Sequence, residues 1–181
     1  MSDLKISLPL LLESERLRLA PVTEAHIQAD YVAWLNDPKI VQFSNQRFTR
    51  HSELTCRNYL ASFDSSANRF FAIEDKFIHQ LIGTLTMYIS PFHRTADVGI
   101  LIGNSNQWGK GYGHEAFGLA VDSLLCIPNF RKVTAATMSC NKGMIKIMEK
   151  CCMKLEATQK AQELLDEEPM DILYFAKFAP S

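Results

Sequence analysis

The segment from Trp108 to Ala116 reads W-G-K-G-Y-G-H-E-A and holds three of the chain's eight glycines within five residues. It lies between an apolar, strand-like run and an apolar, helix-like run. Glycine lets the main chain approach a ligand closely because it has no Cβ, and a helix N-terminus presents unpaired N–H groups to an anion. The segment therefore predicts a loop that binds phosphate through its backbone.

Two common phosphate-binding loops do not fit this spacing. A Walker A loop requires Ser or Thr after its Gly-Lys pair, but Lys110 is followed by Gly111. A Rossmann fingerprint requires G-x-G-x-x-G directly after the first strand. Here Gly109, Gly111 and Gly113 are spaced G-x-G-x-G and follow several strand-like runs.

The size and charge of the chain restrict the class of protein. Its 181 residues, 47% of them hydrophobic, predict a single domain spanning 1–181. The net charge is −1 and no block of Lys or Arg is present, so we expect no nucleic-acid partner. No apolar run approaches the ~20 residues of a membrane span, so we expect no membrane contact. The five cysteines and five histidines show no metal-ligand spacing, which predicts no metal and reduced thiols. The short apolar run 6–12 is interrupted by Pro9 and does not resemble a signal peptide, so we expect a cytoplasmic location.

Apolar periodicity predicts an α/β (α+β) fold. Alternation predicts a first strand over 16–20, an antiparallel meander over 70–73, 81–89 and 96–102, and further strands over 133–138 and 172–178. Helical spacing predicts helices over 23–36, after Thr49, directly after the glycines and over 143–152. The strand, glycine loop, helix and strand in that order predict a βαβ crossover between parallel neighbours.

The glycine segment resembles the acyl-CoA loop of the GCN5-related N-acetyltransferases (GNAT), whose pattern is Q/R-x-x-G-x-G/A. Trp108 stands at the Gln/Arg position, as in the branch of the ribosomal-protein alanine acetyltransferases (RimJ/RimL-like), which is similar in its W-G-K-G-Y-A/G-x-E-A form. Residues 141–156 resemble the family segment N-x-x-S-x-x-[VL]-[LM]-E-K-x-G-F-x-x-E, and 15–19 are similar to its opening strand. The resemblance implies one mixed sheet of about seven strands, with the βαβ crossover carrying the acyl-CoA loop, and about four helices.

The resemblance also implies where acetyl-CoA, the cosubstrate, binds. Its pyrophosphate would lie on the loop and helix start, and its pantetheine arm along the end of the preceding strand. The implied residues are Leu101, Ile102, Gly103, Trp108, Gly109, Lys110, Gly111, Tyr112, Gly113, His114 and Asn141. Lys110 and His114 are equally compatible with solvated positions, and Asn141 with an N-cap.

Proton transfer has one candidate base and no candidate acid. An amine must be neutral to attack, so a base must accept its proton. Asp97 stands on the strand before the loop, where several family members carry glutamate, and alternation places it on the face opposite Val98. A solvated carboxylate is the alternative interpretation. The family's tyrosine or serine acid corresponds here to Met148 and Met144, which cannot donate a proton.

The acceptor is the least determined part of the function. Residues 31–38 and 43–48 resemble enzymes that acetylate nucleotide-linked amino sugars, which implies acceptor contacts at Trp34, Asn36 and Ser44. Trp34 in a core and Asn36 in a turn are the alternatives. A protein N-terminus or another small amine remains open, and a homodimer is compatible with the family. A catalytically weak CoA-binding or sensory module of the same fold is the rival function.

Overall fold

The computed structural model describes residues 9–180 as one eight-stranded sheet with five α-helices. Three short 3₁₀ turns, Glu24–His26, Asn45–Phe48 and Ser105–Gln107, connect these elements. The strands are β1 (Leu12–Glu13), β2 (Leu17–Pro21), β3 (Arg69–Asp75), β4 (Gln80–Ser90), β5 (Thr95–Ile102), β6 (Lys132–Met138), β7 (Lys154–Leu165) and β8 (Glu168–Phe178). The helices are α1 (Ala29–Asn36), α2 (Pro38–Val41), α3 (Glu53–Ala61), α4 (Tyr112–Leu125) and α5 (Lys142–Lys150).

The sheet confirms the mixed α/β fold and the parallel crossover. Its strand order is β1-β2-β3-β4-β5-β6-β8-β7, and every neighbouring pair is antiparallel except β5 and β6. Helix α4 connects these two parallel strands, as the order of elements predicts. The glycine loop consequently lies at the carboxyl end of β5.

Strands β5 and β6 stay paired for only three residues. Their register runs from Thr95 opposite Lys132 to Asp97 opposite Thr134 and ends there. Beyond this point β5 continues beside β4, while β6 continues beside β8 over its whole length. The two parallel strands therefore separate toward their carboxyl ends, and a cleft opens between them.

Helices α4 and α5 cover one face of the sheet and form most of the core. Phe117, Leu124 and Met148 are completely buried there, against residues of β2 to β6 and β8. Each large apolar side chain buried in this way contributes roughly 1.5–3 kcal/mol. A smaller cluster on Tyr31, Leu35 and partners packs α1 and α3 onto the opposite face. The sheet that holds the cleft is thus supported from both sides.

The structure corrects the predicted element count, adds one long strand and interrupts one predicted helix. There are eight strands rather than about seven and five α-helices rather than about four. The polar residues between the predicted helix over 143–152 and the predicted strand over 172–178 form the twelve-residue strand β7. The predicted helix over 23–36 is interrupted, because Thr23 caps only the first 3₁₀ turn and the chain is extended at Gln28 before α1 begins. No helix within residues 9–180 is long and apolar enough to cross a membrane.

Candidate functional site

A cleft of about 630 Å³ opens where β5 and β6 separate. Four parts of the chain line it: the carboxyl ends of these two strands, the glycine loop with the start of α4, helix α2 with the residues after it, and helix α5. Of the predicted donor-site residues, those lining the cleft are Leu101, Ile102, Trp108, Gly109, Gly111, Tyr112, Gly113, His114 and Asn141. The sequence segments implied for the donor therefore meet at one place.

The loop conformation explains two of its glycines. Gly109 has φ +77° and Gly111 has φ +88°, a left-handed region that costs other residues steric strain. Gly111 is also the N-cap of the fourteen-residue helix α4, so the free N–H groups of that helix begin at the cleft. The segment has the backbone shape and the helix start that an anion-binding loop requires.

A half-buried network that sequence patterns do not reveal holds the loop on the side away from the cleft. Glu115 accepts hydrogen bonds from Ser14 Oγ (2.7 Å) and Arg16 Nε (2.7 Å). Arg16 donates a further bond to the Lys110 carbonyl at 3.1 Å, and its guanidinium lies over the Tyr112 ring. Burial alone would raise the pKa of Glu115, but the bonds from Ser14 and Arg16 outweigh it and lower that pKa. The ionised Glu115 carboxylate therefore ties the loop to the segment between β1 and β2.

Trp108 connects the loop to the strand. Its indole Nε1 donates a hydrogen bond to the Ile102 carbonyl at 2.7 Å, and the Lys39 ammonium lies 5.6 Å from its ring centre. A Cβ on Gly103 would come within 2.0 Å of the Trp34 ring, so Trp34 packs directly on the strand end. Gly103 and Trp34 therefore shape the end of β5 through packing, and neither lines the cleft.

Asn141 caps α5 and also faces the cleft. Its Oδ1 accepts a hydrogen bond from the Met144 backbone N–H at 3.1 Å, and its Nδ2 donates to Thr137 Oγ1 at 2.9 Å. Thr137 lines the cleft and is 8% exposed. Both interpretations of Asn141 are thus geometrically compatible. Of the two methionines at the expected acid positions, Met144 lines the cleft and Met148 is completely buried in the core.

Asp97 lies at the point where β5 and β6 separate. Its Oδ2 accepts a hydrogen bond from Thr134 Oγ1 at 2.8 Å. Burial raises the pKa of this carboxyl, although the Thr134 bond partly opposes the rise. Asp97 pairs across the sheet with Tyr88, whose hydroxyl is 2.9 Å from that of Tyr59. The carboxyl is half-buried beside the cleft-lining residue Val98 and does not itself line the cleft.

The remaining predicted residues have local partners. Lys110 Nζ donates to Gln107 Oε1 at 3.2 Å and does not line the cleft. Asn36 exchanges hydrogen bonds with the backbone of His51, at 2.9 and 3.0 Å, which joins α1 to the segment before α3. Ser44 accepts a bond from the Gln46 N–H at 3.2 Å and begins a 3₁₀ turn. These two side chains therefore hold the chain near α2 in place.

Residues of α2 and α5, which the sequence patterns left out, complete the lining. Lys39 belongs to α2, and Phe43 lies just after this helix. Lys142, Lys146 and Lys150 come from α5. The sequence shows that these lysines are four residues apart, and residues at this spacing share one face of a helix. No carboxylate is found among the lining residues between 9 and 180.

The segment after α2 is bridged to a distant part of the chain by one hydrogen bond. Arg47, in the 3₁₀ turn after α2, donates a hydrogen bond to the Leu164 carbonyl near the tip of the β7–β8 hairpin at 2.9 Å. The Arg47 guanidinium also lies over the Phe48 ring. This contact joins the segment after α2 to a hairpin from the other end of the sheet. Arg47 therefore restricts how far these two segments can move apart.

Comparisons with known proteins agree with this geometry. Residues 16–154 match the family model described as an acetyltransferase (GNAT) domain, and no curated protein sequence matches significantly. The spermidine N-acetyltransferase from Vibrio cholerae, solved with CoA and spermine, is similar with a TM-score of 0.80 at 20% identity, covering 92% of this chain and 97% of that one. The ribosomal-protein-S5-alanine acetyltransferase from Vibrio fischeri gives 0.79 at 16% identity, with 94% and 97% covered. Mycobacterium smegmatis RimJ, in complex with CoA-disulfide, gives 0.76 at 17% identity, with 90% and 82% covered.

Proposed function

Because the chain belongs to the GNAT family of acetyltransferases, we propose that it moves an acetyl group from acetyl-CoA directly to a primary amine within a ternary complex. The observation that carries this proposal is the separation of β5 and β6 beside the glycine loop. One cleft thus offers both an anion-binding backbone and the unpaired edges of two strands. A CoA thioester needs both, because it contains a pyrophosphate and an extended amide arm.

The chemistry of the cleft fits coenzyme A. The N–H groups from Trp108 to Gly113 and the start of α4 would hold the pyrophosphate, with help from the helix dipole. Main-chain groups of Leu101 to Gly103 would pair with the pantetheine amides, in the manner of an added strand. Asn141, with Oδ1 and Nδ2 fixed by Met144 and Thr137, would contact the same arm. Solved structures of the same fold contain CoA, which supports this assignment.

Asp97 would accept the proton of the attacking amine, directly or through water. Its raised pKa makes it a stronger base than an ordinary aspartate, provided that it is ionised at working pH. The hydrogen bond from Thr134 fixes the carboxylate at the closed end of the cleft. The attack forms an amide bond and breaks the thioester bond, so the sulfur departs as a thiolate.

Thr137 is our candidate for stabilising that thiolate. Its oxygen accepts the Asn141 bond, and within the described residues its own hydroxyl proton has no acceptor. A threonine is too weak an acid to protonate sulfur fully, but a hydrogen bond from it lowers the cost of the developing charge. This role would replace the proton donors whose positions are taken by Met144 and Met148.

For the acceptor, we favour a small amine on an anionic carrier, such as a nucleotide-linked amino sugar, over a protein N-terminus. The bridge between Arg47 and Leu164 favours a compact acceptor over a polypeptide. Lys39 supplies a cation on the α2 side of the cleft, where a carrier phosphate could bind. Trp34, Asn36 and Ser44 would act by holding α2 and its neighbours in place.

Turnover with acetyl-CoA distinguishes an acetyltransferase from a CoA-binding or sensory module of the same fold. The protein is incubated with acetyl-CoA and a panel of nucleotide amino sugars, polyamines and peptides, while free thiol is followed. We expect thiol release that depends on the acceptor, together with an acetylated product by mass spectrometry. Binding of CoA without release for any amine would favour the CoA-binding or sensory module. A cytoplasmic location and a homodimer stay predictions, for cell fractionation and light scattering respectively.

A further inference from the structure

Helix α5 carries a row of lysines along the cleft. Lys142, Lys146 and Lys150, which we call the lysine row, are four residues apart, and each is exposed and lines the cleft. Successive members are therefore about 6 Å apart along the helix axis. The opposite side of α5 points into the core, where Met148 is completely buried. One face of the helix anchors it and the other presents three cations.

The fold itself provides little compensation for these charges. Within residues 9–180, none of the three lysines forms an ion pair, and the one acid of α5, Glu149, does not line the cleft. Like charges four residues apart destabilise a helix, and a cation in its first turn opposes the helix dipole. Among residues 9–180, Lys142 Nζ donates only to the Ser139 carbonyl, at 2.9 Å. Such an arrangement is stabilised when an anion binds.

The lysine row and the anion-binding loop line the same cleft. A Cβ on Gly113 would be 3.1 Å from Ile147 Cδ1, so α5 packs against the first turn of α4. At the other end of α5, Cys151 Sγ is 3.9 Å from the His114 carbonyl. These contacts fix α5 beside the start of α4, and the lysine row then lines the same cleft as the loop, with charged side chains where the loop offers backbone N–H groups. The two features form adjacent and chemically different anion sites.

We infer that the lysine row holds the 3′-phosphate of coenzyme A and selects the 3′-phosphorylated donor over dephospho-CoA. This inference rests on the proposed function. A pyrophosphate on the loop satisfies the backbone groups and leaves one further phosphate, a dianion on the ribose, to be neutralised. Lysine ammonium groups on flexible stems bind such a phosphate as point charges. The row is thus a specificity determinant outside the reacting atoms.

Binding affinities for CoA and dephospho-CoA test the inference, because the two ligands differ only in that phosphate. Calorimetry gives the Kd of each ligand for the wild type, for Lys146→Gln with Lys150→Gln, and for the control Lys154→Gln. Lys154 is an exposed lysine four residues further on, outside the cleft lining. We expect the wild type to bind CoA at least ~10-fold more tightly, from charge-assisted hydrogen bonds to one phosphate. The double variant should lose most of this preference, keep its affinity for dephospho-CoA and melt as the wild type does.

The results that would contradict the inference can be distinguished from one another. Equal affinity of the wild type for both ligands would overturn the subsite while leaving the donor site in place. An equal loss for both ligands in the double variant would assign the row to the pyrophosphate and would also overturn the inference. Binding of neither ligand by the folded wild type would reject the proposed function, and the subsite with it.

Discussion

Asp97 Oδ2 accepts a hydrogen bond from Thr134 Oγ1 at 2.8 Å, and these two residues form the last register pair before β5 and β6 separate. Thr134 belongs to β6, so the neighbouring strand holds the Asp97 carboxylate beside the closed end of the cleft. Val98 and Gly99, the next residues of β5, already line the cleft. A base at this point would be fixed relative to an arm bound along the strand edges, which is the arrangement that proton transfer requires.

Replacing Asp97 by Asn should lower kcat/KM by about 10²- to 10⁴-fold, the usual contribution of a general base. The Kd for CoA should not change, because Asp97 does not line the cleft. Steady-state kinetics over pH 5–9 and calorimetry measure the two quantities, and Asp97→Glu serves as the variant that keeps a carboxylate. An unchanged rate and pH profile in Asp97→Asn would remove Asp97 from the mechanism.

The same substitution should stabilise the fold at neutral pH. Burial raises the folded-state pKa of Asp97, so its contribution to stability is complete only below the unfolded pKa and is lost as pH rises through the folded value. The side chain of Asn carries no charge, so the variant should have a higher free energy of unfolding than the wild type at pH 7. This difference should vanish at pH values below about 3.9. Urea unfolding at both ends of this range tests the prediction. A destabilised variant at pH 7 would show that the carboxylate is net stabilising.

Replacing Glu115 by Gln should loosen the glycine loop. We expect the free energy of unfolding to fall by about 1–3 kcal/mol at pH 7, because the charged acceptor of the hydrogen bonds from Arg16 and Ser14 is removed. The folded pKa of Glu115 is lowered, so the difference should disappear as pH falls through that value. Denaturant unfolding measures it. Glu149→Gln, an exposed acid of α5 without an ion pair among residues 9–180, is the control and should cost little.

Much of this architecture could be predicted from local sequence. The crossover was predictable because apolar alternation in β5 and β6 and the apolar stripe of α4 are strong signals on either side of the glycines. Strand β7 was not, because it is an outer strand whose side chains are almost all exposed, so no alternation marks it. A left-handed residue at Ala161 also interrupts its register with β8. The interruption of the first helix has no sequence signal, because buried Ile27, Tyr31 and Leu35 keep a four-residue spacing across the break.

The candidate site, like the fold, could be predicted from the sequence only in part. The glycine loop is a contiguous pattern and could be found, whereas the contact of Glu115 with Arg16 joins residues 99 apart and leaves no local pattern. A resemblance implied acceptor contacts at Asn36 and Ser44, whereas both side chains have backbone partners in the structure. The role of every site residue stays a prediction until variants are measured.

Thr137→Val should slow acetyl transfer more than it weakens donor binding, although it also removes the acceptor of the Asn141 Nδ2 bond. Valine keeps the shape but removes the hydroxyl, and losing one hydrogen bond to a developing charge costs about 10- to 100-fold in kcat. The KM for acetyl-CoA should change far less, and Thr137→Ser should restore most of the rate. If Thr137→Val and wild type have the same kcat, the thiolate is stabilised by water or by another group.

Cys152→Gly should stabilise the protein. Cys152 has φ +61° directly after α5, and its N–H and that of Met153 donate to Glu149 and Met148 at 3.0 and 3.1 Å, which is a Schellman motif. Glycine removes the left-handed penalty of about 1 kcal/mol, equivalent to ~2–4 °C in Tm for a domain of this size. Cys152→Ala keeps the Cβ and should show no such gain. A Tm increase of the same size in both variants would mean that loss of the thiol, and not backbone strain, was responsible.

Transfer measured in wild type and Gly111→Val, with acetyl-CoA and the best acceptor of the amine panel, tests the central claim most directly. Valine at φ +88° is strained by about 1–3 kcal/mol within the loop, so it should deform the anion site while the sheet still folds. We predict acceptor-dependent thiol release and an acetylated product for wild type, and loss of both release and CoA binding in the folded variant. Undiminished release by Gly111→Val, or none by a wild type that binds CoA, would contradict acetyl transfer in this cleft.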